Sequence, residues 1–317
     1  EVYLLAHEES TSKDANKIFR WKGKLSRNKR DTMMNATRLR KTVKEVKPDI
    51  IHHFARLLYT YPTLLTSRVP FVMTYGRKIS PKSTALASIV GGKKMNFTAA
   101  AGHMLIHLTR YRHKFTPIYN FTDVEFYTDD PSVPKEHLMF LGRVEDIKGV
   151  REAIDTALQT GEKLIIAGNI QPGHEDWFDQ YLKPHLNNPL IEYTGPVDNE
   201  QKKYYLQRAK AFLFPIKWEE PFGIVMAEAM SCGVPLIGFR RGSVPEVIEE
   251  GVSGYIVDNT KEMVNAVKKI DKLNRKKIRE YCVSNFSSEV IAEQYLQLFN
   301  TILNKRKSKK RYFLFYQ

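Results

Sequence analysis

The amino-acid sequence predicts an α/β protein made of two domains, each a parallel, doubly wound sheet covered by helices. Short apolar segments bounded by glycine and proline alternate with segments of helical periodicity, which is typical of such sheets. With 317 residues the chain is long enough for two such domains with sizeable cores. Its 42% hydrophobic and 27% charged residues are typical of a globular protein.

Residues 1–125 are predicted to form the N-terminal domain. Strands are expected at 1–6, 49–54, 70–76, 95–99 and 117–120, and helices at 37–46, 57–67 and 102–113. The sequence is strongly basic between residues 13 and 40, with Lys22, Lys24, Arg27, Lys29, Arg30, Arg38 and Arg40. This stretch is interpreted either as a contact for an anionic surface or acceptor, or as a solvated loop and helix face.

A linker over 123–134, where acidic residues, Pro131 and Pro134 cluster, is predicted to lead into a C-terminal domain at 126–290. Strands are expected at 138–141, 164–169, 190–194, 211–215 and 236–239, and helices at 150–158, 224–231 and 261–277. Asp198 with Gln201, and Ser243 with Glu246, have the spacing of helix capping boxes. Residues 291–317 are predicted to form a C-terminal helix and a basic tail.

The most informative stretch is residues 218–235, which is predicted to be a loop and a short helix between two buried strands. Gly223 stands at the helix entrance, where free backbone N–H groups and the helix dipole bind phosphate or sugar oxygens. Glu220 precedes the helix and Glu228 lies inside it, with seven residues between them. Each carboxylate could accept hydrogen bonds from a pair of sugar hydroxyls. The alternative is that both are solvated charges.

Three groups of motifs carry a resemblance to a known family. They are Glu-Pro-Phe-Gly-Ile-Val-Met-Ala-Glu at 220–228 with the glycine-rich segments up to residue 257, Phe-Leu-Gly-Arg at 140–143 with Lys148-Gly149, and Leu-Ile-Ile-Ala-Gly at 164–168. In this order and spacing they resemble the family 4 glycosyltransferases, also described as glycosyl transferases group 1. The resemblance implies the GT-B fold, with two Rossmann-like domains facing across a cleft, and a retaining reaction with a nucleotide-sugar donor.

The resemblance also implies roles for individual residues. Arg143 and Lys148 would hold the donor diphosphate, since a guanidinium and an ammonium can converge on it, and Glu220 would hold the hydroxyls of the donor sugar. Arg143, Lys148 and Glu220 are therefore the predicted catalytic residues. The predicted donor-binding residues are Gly142, Gly168, Asn169, Val197, Phe222, Gly223, Ile224 and Glu228, with Glu228 on the ribose.

The N-terminal domain departs from the family in two places. Gly76, Arg77 and Lys78 stand where many members have a histidine close to the transferred sugar, so His53 and Arg77 are predicted to face the acceptor or sugar. A lone histidine is more often structural, and this alternative stays open for His53. In the family a strand and a glycine-rich loop precede the first strand seen here, so the sequence is expected to be a fragment that lacks them.

Metal and partner predictions follow from charge and composition. The net charge of +15 favours an anionic partner, namely a nucleotide sugar, nucleic acid or acidic lipid. The sequence contains no nucleic-acid-binding motif, so a nucleic acid is not expected as a partner. Asp129 and Asp130 lie in the linker rather than at a strand end, so chemistry without a metal or cofactor is predicted. Cys232 and Cys282 are too few for a disulfide framework.

The tail at 305–316 combines basic and aromatic residues, which suits an anionic membrane face as well as a solvated tail. No apolar run is long enough for a membrane span, so a cytoplasmic protein with a peripheral membrane contact is expected. The predicted activity is sugar transfer to a glycan, lipid or small-molecule acceptor, with a UDP-sugar favoured, in cell-envelope or polysaccharide synthesis. Two alternatives remain, namely a GT-B epimerase of nucleotide sugars and a catalytically impaired binding protein.

Overall fold

The computed structural model describes residues 1–24 and 28–313. It confirms the α/β class, and its sheets are parallel. The chain divides into two compact units. Unit 1 consists of Glu1–Ala100, Leu105–Pro117 and Tyr295–Gln317, and unit 2 of Ala101–Met104 and Ile118–Gln294. Arg27 and the side chains of the predicted membrane-contacting tail, residues 306–316, lie outside the described part. The domain ranges read from the sequence stay a prediction.

Unit 1 contains a two-stranded sheet and a four-stranded sheet. The strands are β1 (Tyr3–Ala6), β2 (Lys17–Arg20), β3 (Ile51–His53), β4 (Phe71–Tyr75), β5 (Met95–Ala99) and β6 (Phe115–Pro117), and the helices are α1 (Lys29–Val46), α2 (Tyr61–Thr66) and α3 (Pro81–Gly91). β3 to β6 lie side by side in chain order. Right-handed crossovers between neighbours in that order place α2 and α3 on the same face of the sheet.

Two predictions in unit 1 are wrong. Residues 102–113 form no α-helix but two short 3-10 helices, Gly102–Leu105 and Arg112–Lys114. The Glu246 carboxylate accepts hydrogen bonds from the backbone N–H groups of Gly102 and His103, so this part of the segment belongs to unit 2. The strand expected at 117–120 instead ends at Pro117, because Phe115 pairs with Phe97 of β5 and stacks on its ring at 4.8 Å.

Unit 2 contains one six-stranded parallel sheet. Its strands are β7 (His137–Leu141), β8 (Leu164–Ala167), β9 (Ile191–Gly195), β10 (Ala209–Phe214), β11 (Leu236–Phe239) and β12 (Gly254–Val257). Its helices are α4 (Val150–Thr160), α5 (Glu175–Tyr181), α6 (Asn199–Arg208), α7 (Ile224–Ser231), α8 (Val244–Val247), α9 (Thr260–Val267) and α10 (Arg275–Phe286), and α11 (Ser288–Phe313) begins in it. The strand order is β9-β8-β7-β10-β11-β12. This doubly wound order reverses direction between β7 and β10, which is where such sheets bind ligands.

The predicted helix over α7 and the strand over β11 are confirmed, and so is the capping box of Asp198 and Gln201. The helix expected at 261–277 is wrong, because α9 ends at Val267 and Asn274 caps a separate helix, α10. The capping box of Ser243 and Glu246 is also wrong. The Ser243 hydroxyl donates to the carbonyl of Phe222, and the Glu246 carboxylate receives the amides of residues 102 and 103 instead.

Candidate active site

The candidate site lies in unit 2, at the carboxyl ends of β7 and β10. The loop after β7 carries Gly142, Arg143 and Lys148, and the loop after β10 carries Glu220 and leads into α7. These loops enclose a pocket of about 240 Å³. Its lining residues are Phe140, Leu141, Gly142, Arg143, Lys148, Phe214, Glu220, Gly223, Ile224 and Val225. The pocket therefore brings together all three residues that the resemblance marked as catalytic.

Lys148 and Glu220 form an ion pair at one wall of this pocket. The Lys148 ammonium lies 2.5 Å from Oε2 of Glu220, and each side chain is 14% exposed. The indole N–H of Trp218 donates to the same oxygen at 3.0 Å, and the ammonium lies 5.0 Å from the centre of the Trp218 ring. These contacts fix the orientation of the carboxylate before any ligand arrives. Trp218 was not predicted as a site residue from the sequence.

Arg143 lies in the same loop as Lys148 and is held by one residue of that loop and by one residue that follows β8. Its Nη2 lies 2.8 Å from a carboxylate oxygen of the buried Glu145, and its Nη1 donates to the side chain of Gln171 at 3.3 Å. A partly exposed guanidinium anchored in this way keeps its remaining donors in place for an anion. Arg143 and Lys148 thus give the pocket two positive charges.

A second loop sets the conformation of the segment that carries Glu220. Gly242 has φ +53°, and a Cβ there would lie 2.4 Å from the backbone nitrogen of Glu220, so only glycine fits. The backbone N–H of Ser243 donates to the carbonyl of Glu220, and the Ser243 hydroxyl donates to the carbonyl of Phe222. Ser243 thus supports the site through its backbone N–H and its hydroxyl, rather than capping α8.

The entrance of α7 forms another part of the pocket wall. Gly223 is the residue before the helix, and Ile224 and Val225 begin it beside the pocket. The first N–H groups of a helix have no partner within it, which suits them to an anion. Phe222 is 1% exposed and packs on Tyr119 and Phe286, so its side chain belongs to the core. If Phe222 contacts the donor as predicted, it can do so only through its backbone.

Glu228 lies inside α7, one turn after Ile224, and is not among the residues that line the pocket. Its Oε1 accepts a hydrogen bond of 2.7 Å from the Lys202 ammonium, while its Oε2 is buried and has no hydrogen-bond partner among the described residues. Lys202 also lies 5.1 Å from the centre of the Tyr127 ring. A buried carboxylate oxygen without a partner calls for a donor from a ligand or water.

The other predicted donor residues lie at neighbouring strand ends outside the pocket lining. A Cβ on Gly168 would lie 1.9 Å from the carbonyl oxygen of Gly142, so this glycine permits the close approach of the β7 and β8 ends. Asn169 is exposed and accepts the N–H of Val144 with its backbone carbonyl. Val197 is half-buried just before α6. Their roles in donor binding stay predictions.

The two predicted acceptor residues belong to unit 1. His53 is 5% exposed, and its Nε2 lies 3.1 Å from the carbonyl oxygen of Arg56. Burial lowers its pKa, so the imidazole is neutral at pH 7. Arg77 is exposed in the loop after β4. Both assignments stay predictions.

Among the described residues, no group of three or more His, Cys, Asp or Glu side chains could hold a metal ion. The helices in the described part of the chain include none with the length and apolar character of a membrane span.

Comparisons with known proteins agree with the fold and the motifs. The chain is similar to the N-acetyl-alpha-D-glucosaminyl L-malate synthase of Bacillus anthracis, at 25% identity over 87% of this chain and 80% of that protein. It is also similar to spore coat protein SA of Bacillus subtilis, at 27% identity over 52% of this chain and only 48% of that protein. Among solved structures, HepE of Anabaena in complex with UDP has a TM-score of 0.73 at 18% identity, over 90% of this chain and 85% of that chain.

The structural likeness establishes the GT-B fold of the chain. Residues 130–287, which include the whole candidate pocket, match the family model described as glycosyl transferases group 1. The chain therefore belongs to the glycosyl transferases group 1 family.

Proposed function

We propose that this glycosyltransferase moves a sugar from a UDP-sugar to an acceptor hydroxyl, with retention at the anomeric carbon and without a metal ion. The observation that carries the proposal is the pocket in which Arg143, Lys148 and the entrance of α7 surround Glu220. Two cations and the first backbone N–H groups of a helix suit a diphosphate, and a fixed carboxylate suits the hydroxyls of a sugar.

In the proposed reaction, the bond between the anomeric carbon and the diphosphate oxygen breaks, and the diphosphate gains negative charge. Arg143, Lys148 and the N–H groups at the start of α7 stabilise that charge, and this lowers the barrier. The acceptor oxygen then forms its bond to the anomeric carbon on the same face. Its proton passes to the departing phosphate, so the products are the glycosylated acceptor and protonated UDP.

The Lys148–Glu220 pair links the two parts of the donor. Both hydrogen bonds that the described residues donate to the Glu220 carboxylate are to Oε2, so Oε1 is proposed to accept a sugar hydroxyl. A diphosphate close to Lys148 would share its ammonium with Glu220. The buried Oε2 of Glu228, which has no partner among the described residues, is proposed to accept a ribose hydroxyl.

The choice of donor and acceptor class is supported by the relatives. HepE has been solved with UDP and with UDP-glucose, which favours uridine as the base here. The name of the Bacillus anthracis relative describes an α-linked glucosaminyl product. An O-antigen mannosyltransferase of Escherichia coli is a further relative, and a role in cell-envelope or polysaccharide synthesis is proposed. The cytoplasmic location stays a prediction.

Nucleotide binding tests the donor site directly. In calorimetry without metal, UDP is expected to bind more tightly than GDP or ADP, and magnesium should not strengthen binding. The double variant Arg143→Ala, Lys148→Ala should lose at least about tenfold in affinity, because two charged contacts to the diphosphate are removed. The matched control is Lys163→Ala, Lys183→Ala, which removes two cations on the surface of unit 2.

Equal losses in the two double variants would contradict the site. With a labelled UDP-sugar, transferase activity requires an acceptor, whereas an epimerase converts the donor alone and an impaired binding protein turns over neither. The anomeric configuration of the product, read by NMR, tests retention.

A further inference from the structure

Charge is divided very unevenly between the two units. The residues of unit 1 include 29 Lys and Arg but only 7 Asp and Glu, whereas those of unit 2 include 21 Lys and Arg and 28 Asp and Glu. The net charge of +15 is therefore the sum of a strongly basic unit 1 and a mildly acidic unit 2. The proposed donor site lies in unit 2, so the excess of positive charge in unit 1 requires a separate explanation.

The excess of basic over acidic residues is most pronounced between Asp49 and Asp123. Residues 50–122 contain no Asp or Glu but ten Lys and Arg. This stretch builds the four-stranded sheet, α2 and α3. Surfaces of soluble proteins usually carry both signs of charge, so an acid-free segment of this length indicates a surface that faces negative charge.

Helices α1, α2 and α3 form one layer of unit 1. α1 packs against α2, and α2 packs against α3. Lys94, just after α3, donates hydrogen bonds to the carbonyls of Leu64 and Ser67 and so joins the end of α3 to the end of α2. On the outer face of the layer, exposed basic side chains are Lys29, Arg30, Arg40, Lys41, Lys44, Lys82 and Lys93.

Large apolar side chains lie among these basic residues. Met33 of α1 is 68% exposed, Leu65 of α2 is 72% exposed, and Leu86 and Ile89 of α3 are 51% and 67% exposed. Leu86 and Ile89 stand one turn apart, on the same side of α3 as Lys82, and Lys93 follows two residues after the end of α3. Helices that bind the surface of a bilayer have apolar residues flanked by lysine and arginine in this way.

A small basic pocket lies in the same layer. It has a volume of about 160 Å³ and is lined by Lys22, Met33, Met34, Thr37, Arg38 and Lys41. Arg38 is held in place because its Nε donates to the carbonyl of Arg20. Three cations and two methionines suit a phosphate that is attached to an apolar group.

We propose that the outer face of the α1–α2–α3 layer binds the surface of an anionic lipid bilayer. The positive charges attract acidic headgroups, and Leu65, Leu86 and Ile89 enter the boundary between headgroups and acyl chains. A soluble polyanion such as a nucleic acid would be attracted by the lysines, but it would gain little from aliphatic side chains. The exposed aliphatic residues therefore favour the bilayer. This inference is independent of the donor chemistry.

Vesicle binding tests the proposal with the full chain. Sedimentation with vesicles of phosphatidylcholine alone is compared with vesicles in which about one third of the lipid is phosphatidylglycerol. The protein should bind the anionic vesicles, and high salt should weaken binding. Each lysine near the surface contributes about a fivefold factor, so Lys82→Gln, Lys93→Gln should lower the partition coefficient about 30-fold. Leu65→Gln, Ile89→Gln should lower it at least about tenfold.

The controls are Lys261→Gln, Lys268→Gln and Leu186→Gln, which change exposed residues of unit 2 and should leave vesicle binding unchanged. Heparin serves as the soluble polyanion, and the Leu65→Gln, Ile89→Gln variant should retain heparin binding. The proposal is overturned if the protein does not bind anionic vesicles, or if the apolar variant binds them as well as the wild type does. It is also overturned if the unit 2 controls lose as much binding as the unit 1 variants.

Discussion

Lys202 is the residue whose position says most about the proposed donor site beyond the motifs. It lies on α6, 26 positions before Glu228, and its ammonium hydrogen-bonds to one oxygen of that buried carboxylate. The other oxygen is left without a partner among the described residues. Lys202 thereby compensates the buried charge, and Oε2 stays available for the proposed ribose contact. Breaking a buried ion pair by removing one partner leaves the other charge uncompensated.

Lys202→Met is therefore expected to weaken UDP binding at least about tenfold and to lower the free energy of unfolding by about 3 kcal/mol. Glu228→Gln should also weaken UDP binding, and the double variant should be little worse than either single variant, since the two residues act together. Calorimetry and urea unfolding measure the two effects. Lys203→Met, at the adjacent position of α6, is the control. Undiminished UDP affinity in Glu228→Gln would show that the ribose assignment is wrong.

At the scale of elements, the site depends on a contact between two loops. The loop after β11 supports the loop after β10, because Gly242 lies against the backbone of Glu220, and the backbone N–H and hydroxyl of Ser243 donate to the Glu220–Phe222 segment. The chain offers a matched pair for testing this contact. Gly242 and Gly251 both have positive φ, but a Cβ on Gly251 would have no neighbour within 4 Å.

Gly251→Ala should cost only the conformational strain, about 1 kcal/mol of stability, with unchanged UDP affinity. Gly242→Ala adds a clash with the Glu220 backbone. It should therefore cost more stability and lower transferase activity at least about tenfold, because the carboxylate is displaced. Thermal unfolding and initial rates measure both effects. Equal activities in the two variants would show that the support of the Glu220 loop does not matter for catalysis.

A second group of elements meets at the carboxyl ends of β3, β4 and β5. His52 Nε2 lies 2.7 Å from the Thr74 hydroxyl, which lies 2.6 Å from that of Thr98, and the Tyr295 hydroxyl of α11 lies within 3.4 Å of both threonines. Burial lowers the pKa of His52 to about 4, and the neighbouring His53 adds to this effect. The neutral imidazole is thus part of the folded network.

In the unfolded chain His52 should titrate near its ordinary pKa of 6.5, so between pH 6.5 and 4 protons bind mainly to the unfolded state. The contribution of the neutral His52 to the free energy of unfolding is fully present above pH 6.5 and decreases as the pH falls. At pH 5 this decrease amounts to about 2 kcal/mol. His52→Gln should reduce the pH dependence of urea unfolding by this amount. Burial also lowers the pKa of His137 to about 4. The contribution of His137 to the pH dependence of stability should remain in this variant. An unchanged pH dependence in His52→Gln would contradict the assignment.

At the scale of the whole molecule, the chain consists of two compact units with their own sheets and their own buried residues. The candidate donor pocket is lined only by residues of unit 2. A ligand that binds one folded unit stabilises that unit by mass action. Because the two units are separate, we also expect the chain to unfold in two steps.

Calorimetric unfolding should therefore show two transitions, of which UDP shifts one. At 100 times its Kd, UDP should stabilise unit 2 by about 2.7 kcal/mol, with little effect on unit 1. The Arg143→Ala, Lys148→Ala variant identifies the transition of unit 2, because its shift with UDP should largely disappear. Equal shifts of both transitions would show that donor binding is not confined to unit 2.

The sequence by itself determined the α/β class, most strands and the helix α7 between Glu220 and Gly233. These features depend on residues close together in the chain, such as the apolar run of β10 and the Gly223 entrance. It also marked Arg143, Lys148 and Glu220, which the fold brings to one pocket. The local pattern failed at 102–113 and at Ser243 and Glu246, where the hydrogen-bond partners are distant in sequence.

Only the tertiary structure decided which distant residues meet. It paired Lys202 with Glu228, placed Trp218 on the Lys148–Glu220 pair, and collected the basic and apolar residues of α1, α2 and α3 on one layer. The physical reason is that local propensities depend on the backbone and the nearest turns. Side-chain hydrogen bonds, ion pairs and surface charge instead depend on strand order and helix packing, which bring together parts of the chain that are far apart in sequence.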